Sequence, residues 1–144
     1  MNRKKILFIM LVTTALMLVS AGCLSPGAGG GTDLNGTTWQ LETYAGDQPL
    51  AGTEFTARFE DTQIQGNAGC NQYFGTYQLE NGQLTITDLA WTEMACLDPE
   101  GVMEQEQTIL TLLGSAQTYQ VEEGTLQITT ADGERLVFSK TSNP

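Results

Sequence analysis

Hydrophobic and polar residues alternate along much of the chain between residues 37 and 140. "TTWQLETY" (37–44) sets Trp39, Leu41 and Thr43 on one face, and "EFTARFE" (54–60) does the same with Phe55, Ala57 and Phe59. "GTYQLE" (75–80) offers Tyr77 and Leu79, and "QLTITD" (83–88) offers Leu84 and Ile86. Three later runs pair Tyr119 with Val121, Leu126 with Ile128, and Leu136 with Phe138. Successive side chains of a strand point to opposite faces, so each run predicts a strand with one apolar side. Turn sequences separate them: Asn81-Gly82, Glu123-Gly124 and Asp132-Gly133. Asn-Gly is the strongest of these, because a type I′ turn needs positive φ at both central residues. The pattern predicts an antiparallel meander with one buried face.

One segment departs from period two. "DPEGVMEQEQTILTLLGSA" (98–116) opens with Asp98 as an N-cap, Pro99 at the first helical position and Glu100 in the first turn, and it closes near Gly114. Val102, Ile109, Leu110 and Leu113 form one helical stripe. A single helix laid on a curled sheet would cover apolar surface that the strands leave open. Glu106 falls on that stripe. Aimed inward, a carboxylate is costly unless hydrogen-bonded, and such groups are often functional. In that case Glu106→Gln should leave stability unchanged or raise it, since the amide avoids burying a charge. Glutamates are seldom fully buried, which favours the other expectation: Glu106 at the stripe's edge with its head in water.

The first thirty residues have a different character. Arg3, Lys4 and Lys5 precede an uncharged apolar run from Ile6 to Val19, and "SAGC" ends it at Cys23. That order marks a secretory signal rather than a fold element. The run is shorter than the ~20 residues of a membrane-spanning helix. The segment resembles a bacterial-type lipoprotein signal, with Ser20 where Leu is usual. The resemblance implies cleavage after Gly22, acylation of Cys23 and an exported chain held to the outer face of a membrane. "LSPGAGGGTD" after it is Gly-, Ser- and Pro-rich and predicts a flexible spacer. The expected layout is therefore a signal peptide over 1–22, a tether over 23–33 and one folded domain over 34–140.

Removing residues 1–22 leaves 122 of 144, enough for one small domain. Its only cations are Arg58, Arg135 and Lys140, against 17 acids, a formal charge of 3 − 17 = −14. Nucleic-acid binders need basic patches, so that partner class is excluded. Such a surface reads as a solvated exterior or as a face for a cationic partner, and the acids are scattered rather than blocked, which favours the first.

The absence of histidine removes Ser-His-Asp and Cys-His catalysis and imidazole zinc sites. No Asp-x-Asp-x-Asp loop suggests calcium, Ser115 lacks a Gly-x-Ser-x-Gly elbow, and no Gly-rich loop precedes a lysine. Carboxylate pairs for acid-base hydrolysis are conceivable among so many acids, but nothing selects two of them. No enzyme activity, cofactor or metal is expected.

"LNGTTWQL", "GNAGCNQYFGTY" and "TEMAC" ahead of a helix containing "MEQEQTIL" resemble the META domain, the HslJ-like family, over residues 34–139. The most specific parts are Gly69, Cys70, Asn71, Tyr73, Gly75 and Tyr77, and the Met94-Ala95-Cys96 triplet. Trp91 lies outside the family pattern. The resemblance implies a mainly β fold of the α+β kind, an incompletely closed antiparallel β-barrel with one helix, common on bacterial envelope lipoproteins and not defined by a catalytic residue. Two functions follow as expectations. One is a non-catalytic envelope lipoprotein acting through protein contacts in envelope integrity, stress tolerance or secretion. The other is a small apolar-ligand module in a partly open barrel. Asn71, Tyr73, Tyr77, Trp91 and Glu106 are the candidate binding or structural residues. Mutual contact of Trp39, Phe55, Phe59 and Phe138 would favour the first function, and an apolar cavity rimmed by Tyr73, Tyr77 or Trp91 the second.

With Cys23 acylated, Cys70 and Cys96 are the remaining thiols of an exported chain, and export is where disulfides persist. Two cysteines without histidine supply half of a usual zinc shell, and no cation flanks Cys70 to lower its pKa. A Cys70–Cys96 disulfide is expected, with Gly66, Gly69 and Gly75 at turns and close approaches beside it.

Overall fold

A computed structural model describes residues 32–141. The signal segment (1–22), Cys23 and the tether as far as residue 31 lie outside the described residues. The chain order is β1 (Thr37–Tyr44), β2 (Thr56–Glu60), β3 (Gln63–Asn67), β4 (Gln72–Glu80), β5 (Gln83–Trp91), α1 (Val102–Gly114), β6 (Ala116–Glu122), β7 (Thr125–Thr130) and β8 (Arg135–Lys140). Each strand pairs antiparallel with its neighbour in sequence, and β8 returns to β1, giving a closed eight-stranded barrel.

Closure corrects the expected open barrel. The β1–β8 seam runs from Trp39 opposite Lys140 to Tyr44 opposite Leu136, with a bulge between Leu41 and Thr43. The β5–β6 seam is much thinner, with Gln83 opposite Thr118 and the Tyr119 N–H donating to the Gly82 carbonyl at 3.1 Å. Helix α1 connects these two strands and packs against β5, β7 and β8. An opening would leave unpaired strand edges beside apolar surface, and the β5–β6 pairing removes them.

Eight strands enclose a space that side chains alone can fill. Trp39, Leu41, Phe55, Ala57, Phe59, Leu84, Leu126, Ile128, Leu136 and Phe138 occupy it, on the faces the alternation predicts. Phe55 stacks on Tyr73 at 5.2 Å between centroids and lies 6.4 Å from Phe138, while Phe59 meets Tyr77 edge-on at 5.0 Å. Offset and edge-on pairs suit the aromatic quadrupole and add about 0.5–1.5 kcal/mol each beyond area burial. The Trp39 indole N–H, which would be costly unpaired, donates to Thr37 Oγ1 at 2.7 Å.

Two elements differ from the sequence pattern. Strand β3 has no period-2 apolar run, because after Ile64 the next inward position is Gly66. A Cβ built there would stand 1.9 Å from the Thr56 carbonyl oxygen, so the approach of β2 and β3 excludes any side chain. The helix starts at Val102 rather than Pro99, because Gly101 at φ 88° is left-handed and ends any continuous helical run before it. Asp98 makes no cap, and the Asp98–Pro99 peptide is cis. The Asn81-Gly82 turn has positive φ at both centres, 52° and 80°, as a type I′ turn requires.

Candidate functional site

The residues of the "GCN" motif and the "MAC" triplet meet where β3 turns into β4. Cys70 and Cys96 form a disulfide, with Cα atoms 6.0 Å apart and a sequence separation of 26. The bridge ties the β3–β4 turn to the segment that leaves β5. Gly69 at φ 102° makes that turn, and its N–H donates to Asn67 Oδ1 at 2.7 Å.

Asn71 is fully buried beside the bridge and uses its whole amide. Its Oδ1 accepts the Met94 N–H and the Thr92 hydroxyl, both at 2.8 Å. Its Nδ2 donates to the Met94 carbonyl at 3.2 Å and to Glu106 Oε1 at 2.7 Å. With the Thr92 N–H donating to the Gln72 carbonyl at 3.0 Å, these contacts tie the segment after β5 to the β3–β4 turn.

Glu106 overturns the expectation of a carboxylate at the stripe's edge. Its residue is only 3 % exposed. Oε2 accepts the Asn71 N–H at 2.7 Å and the Cys70 N–H at 3.3 Å, and Oε1 accepts Asn71 Nδ2. Three donors from one turn converge on the helix, which explains how a glutamate is accommodated there. Both oxygens are engaged and the group is enclosed, so its chemistry is that of a fastener. Among the described residues, no buried side-chain nitrogen or oxygen lacks a partner.

The other candidates separate. Tyr73 belongs to the core, its hydroxyl donating to the Thr56 carbonyl at 2.9 Å, and burial pushes its phenol far up. Tyr77 also packs inward but at the far end of its strand, with its ring against Phe59. Burial first, then the Asp33 and Asp61 carboxylates and Tyr119, push the Tyr77 phenol up. Trp91 ends β5 and is 37 % exposed. Among the described residues, Tyr73 and Tyr77 border different hollows. The hollows of about 350–440 Å³ on the described surface are open to solvent, outside the filled core.

Gln105 escaped the sequence pattern. It is buried next to Glu106, its Oε1 accepting the Leu50 N–H at 2.5 Å and its Nε2 donating to Thr53 Oγ1 at 3.0 Å. The helix thus pins the β1–β2 loop through Gln105 and the β3–β4 turn through Glu106. Its position three residues after Val102 was the available signal, since such neighbours share a helical face.

The fold and this clasp define a class: a small closed antiparallel barrel with one helix fastened to its wall by buried polar contacts and a disulfide. The family model of the META domain matches residues 32–143, and the chain belongs to that family. Among solved structures, it is similar to an NMR structure of a protein from Burkholderia xenovorans, with 26 % identity and a TM-score of 0.64 over 76 % of this chain and 85 % of that one. A second protein solved by NMR is 28 % identical, with a TM-score of 0.59 over 74 % of this chain and 90 % of that one. The crystal structure of a DUF4847 family protein from Bacteroides vulgatus shares the fold, at 13 % identity and a TM-score of 0.53 over 77 % of this chain and 96 % of that one. No curated protein matches.

Proposed function

We propose that this chain is an exported, non-catalytic lipoprotein, anchored through acylated Cys23, whose META barrel serves the cell envelope through protein contacts. The Cys70–Cys96 bridge carries this reading, because disulfides persist in oxidising compartments and the sequence before Cys23 has the form of an export signal. The barrel interior, filled by aromatic and aliphatic side chains, supports a role exercised at the surface. Phe74, Trp91, Met94 and Leu97 are exposed on β4, the end of β5 and the segment that the bridge holds, and they supply apolar contact area there.

Fractionation tests the anchor. The wild-type chain should sediment with membranes and Cys23→Ala should move to the soluble fraction. A single acyl chain binds only marginally, so stable retention calls for the several chains of a mature lipoprotein. A wild-type chain that is soluble, or that carries no lipid by mass, would contradict the proposal.

A further inference from the structure

One row of cross-strand neighbours crosses the outside of the barrel over β1 to β4. Thr38 lies opposite Arg58, Arg58 opposite Gln65, and Gln65 opposite Phe74. Their chain neighbours Trp39, Ala57, Ile64 and Tyr73 are buried, so alternation turns these four side chains outward. Asn67 opposite Gln72 forms the next row on the same face. A hollow of about 350 Å³ lies among them. Gly66 lines it without a side chain, because the Thr56 backbone leaves no room for a Cβ there. The Phe74 ring, 57 % exposed, forms one wall.

The lining is neutral overall in a strongly acidic chain. Arg58 is its one ionic residue, and Glu60, outside the lining, pairs with that guanidinium at 2.9 Å. An anion would be repelled by 17 acids set against 6 lysines and arginines, and a cation would find no carboxylate in the hollow. The polar groups present are of another kind. The Gln65 and Gln72 side chains are exposed, and each amide offers two donors and an acceptor. Asn67 Oδ1 is occupied by the Gly69 N–H at 2.7 Å, which leaves its Nδ2 to donate.

We propose that this hollow binds an uncharged glycan, with one sugar ring stacked on Phe74 and its hydroxyls hydrogen-bonded to the Gln65, Asn67 and Gln72 amides. A pyranose carries C–H groups on one face and hydroxyls around its rim. The negative face of an aromatic ring attracts polarised C–H groups, and an amide matches hydroxyls because both donate and accept. The hollow is open to solvent, so it cannot enclose a small molecule but can hold one or two units of a longer chain. The inference does not depend on the anchor or on the protein-contact reading.

The test is an amide-resonance NMR titration of the isotopically labelled full-length chain. Cellotetraose and the tetramer of N-acetylglucosamine are the probes, and a blocked proline-rich peptide represents the other ligand an exposed aromatic ring could take. Saturable shifts centred on Gln65, Asn67, Gln72 and Phe74 are expected with at least one sugar, and the tighter one shows whether an acetamido group is read. Kd should be the same at about 0.05 M and about 0.5 M salt, because no charge pair is formed. Phe74→Ala should raise Kd by about tenfold or more, whereas Phe74→Tyr, which keeps the ring, should stay within about twofold. Gln65→Ala with Gln72→Ala should weaken binding severalfold, and this pair decides if Phe74→Ala does not fold. No saturation with either sugar, shifts centred elsewhere, saturation by the peptide alone, a salt-dependent Kd, or a Kd unchanged by the folded variants would overturn the proposal.

Discussion

Replacing Glu106 with glutamine tests how the helix is fastened to the barrel. The change is isosteric and removes a buried charge, which by itself predicts no loss of stability. The hydrogen bonds predict the opposite. Every group facing Glu106 is a donor: the Cys70 and Asn71 N–H groups at Oε2, and Asn71 Nδ2 at Oε1. Asn71 cannot turn its amide to help, because its Oδ1 already accepts the Met94 N–H and the Thr92 hydroxyl. A glutamine must therefore aim its NH₂ at a donor in either orientation. The better one keeps both backbone N–H groups on its oxygen and sets Nε2 against Asn71 Nδ2. A hydrogen bond to a charged group contributes about 1.5–3 kcal/mol, and leaving a buried donor unpaired costs about 1–3 kcal/mol. Glu106→Gln should thus destabilise by about 2–3 kcal/mol, and Glu106→Ala by about 4 kcal/mol as all three donors lose their acceptor and a void opens. Urea unfolding with the disulfide intact measures this as a lowered midpoint at constant slope. A Glu106→Gln midpoint within about 0.5 kcal/mol of wild type would refute the donor-only environment.

Three further outcomes follow from the structure. Reducing the Cys70–Cys96 bridge, which spans 26 positions, should remove about 3.5 kcal/mol by loop-closure entropy and lower Tm by about 10 °C or more, read by calorimetry with and without dithiothreitol; an unchanged Tm would mean that the bridge constrains nothing. Gly66→Ala should cost about 3 kcal/mol or more, because its Cβ would meet Thr56 backbone, whereas Gly82→Ala, with open space around it, should cost only about 1 kcal/mol for its positive φ; equal losses would contradict the close approach of β2 and β3. The raised Tyr73 phenol binds its proton more tightly folded than unfolded, so its contribution is complete below the ordinary phenol value of 10.0 and falls as pH rises above it. Unfolding free energies measured from pH 8 upward should decline above pH about 10, and Tyr73→Phe should flatten part of that decline; an identical slope in the variant would refute it.

Much of the fold was legible because one face of each strand is apolar and the turns have sequence signatures of their own. Trp39 and Leu41, Leu126 and Ile128, and Leu136 and Phe138 all point inward as alternation requires. Strand β3 was hidden by the glycine that its own packing demands, since Gly66 erases the second apolar position. Barrel closure was hidden for a different reason. It depends on pairings between distant segments, β1 with β8 and β5 with β6, and period-2 patterning carries no information about which edges meet. The helical stripe was correct in Val102, Ile109, Leu110 and Leu113, but Gly101 moved its start.

The candidate site was legible in part. The Cys70–Cys96 bridge was expected from the cysteine count and the export signal that the sequence resembles, without geometry. Glu106 and Gln105 did not follow, because a buried polar side chain is tolerated only where partners converge, and those partners come from β3–β4 and β1–β2. Tyr73, Tyr77 and Trp91 share a strand pair but face different surroundings: the core, the acidic end and the solvent.

Intact mass spectrometry of the chain isolated from its own cells tests the account most directly. The proposal predicts a polypeptide beginning at Cys23, heavier by several acyl chains, with Cys70 and Cys96 resistant to alkylation until reduced. An unacylated chain, or one with two freely alkylatable thiols at Cys70 and Cys96, would contradict it.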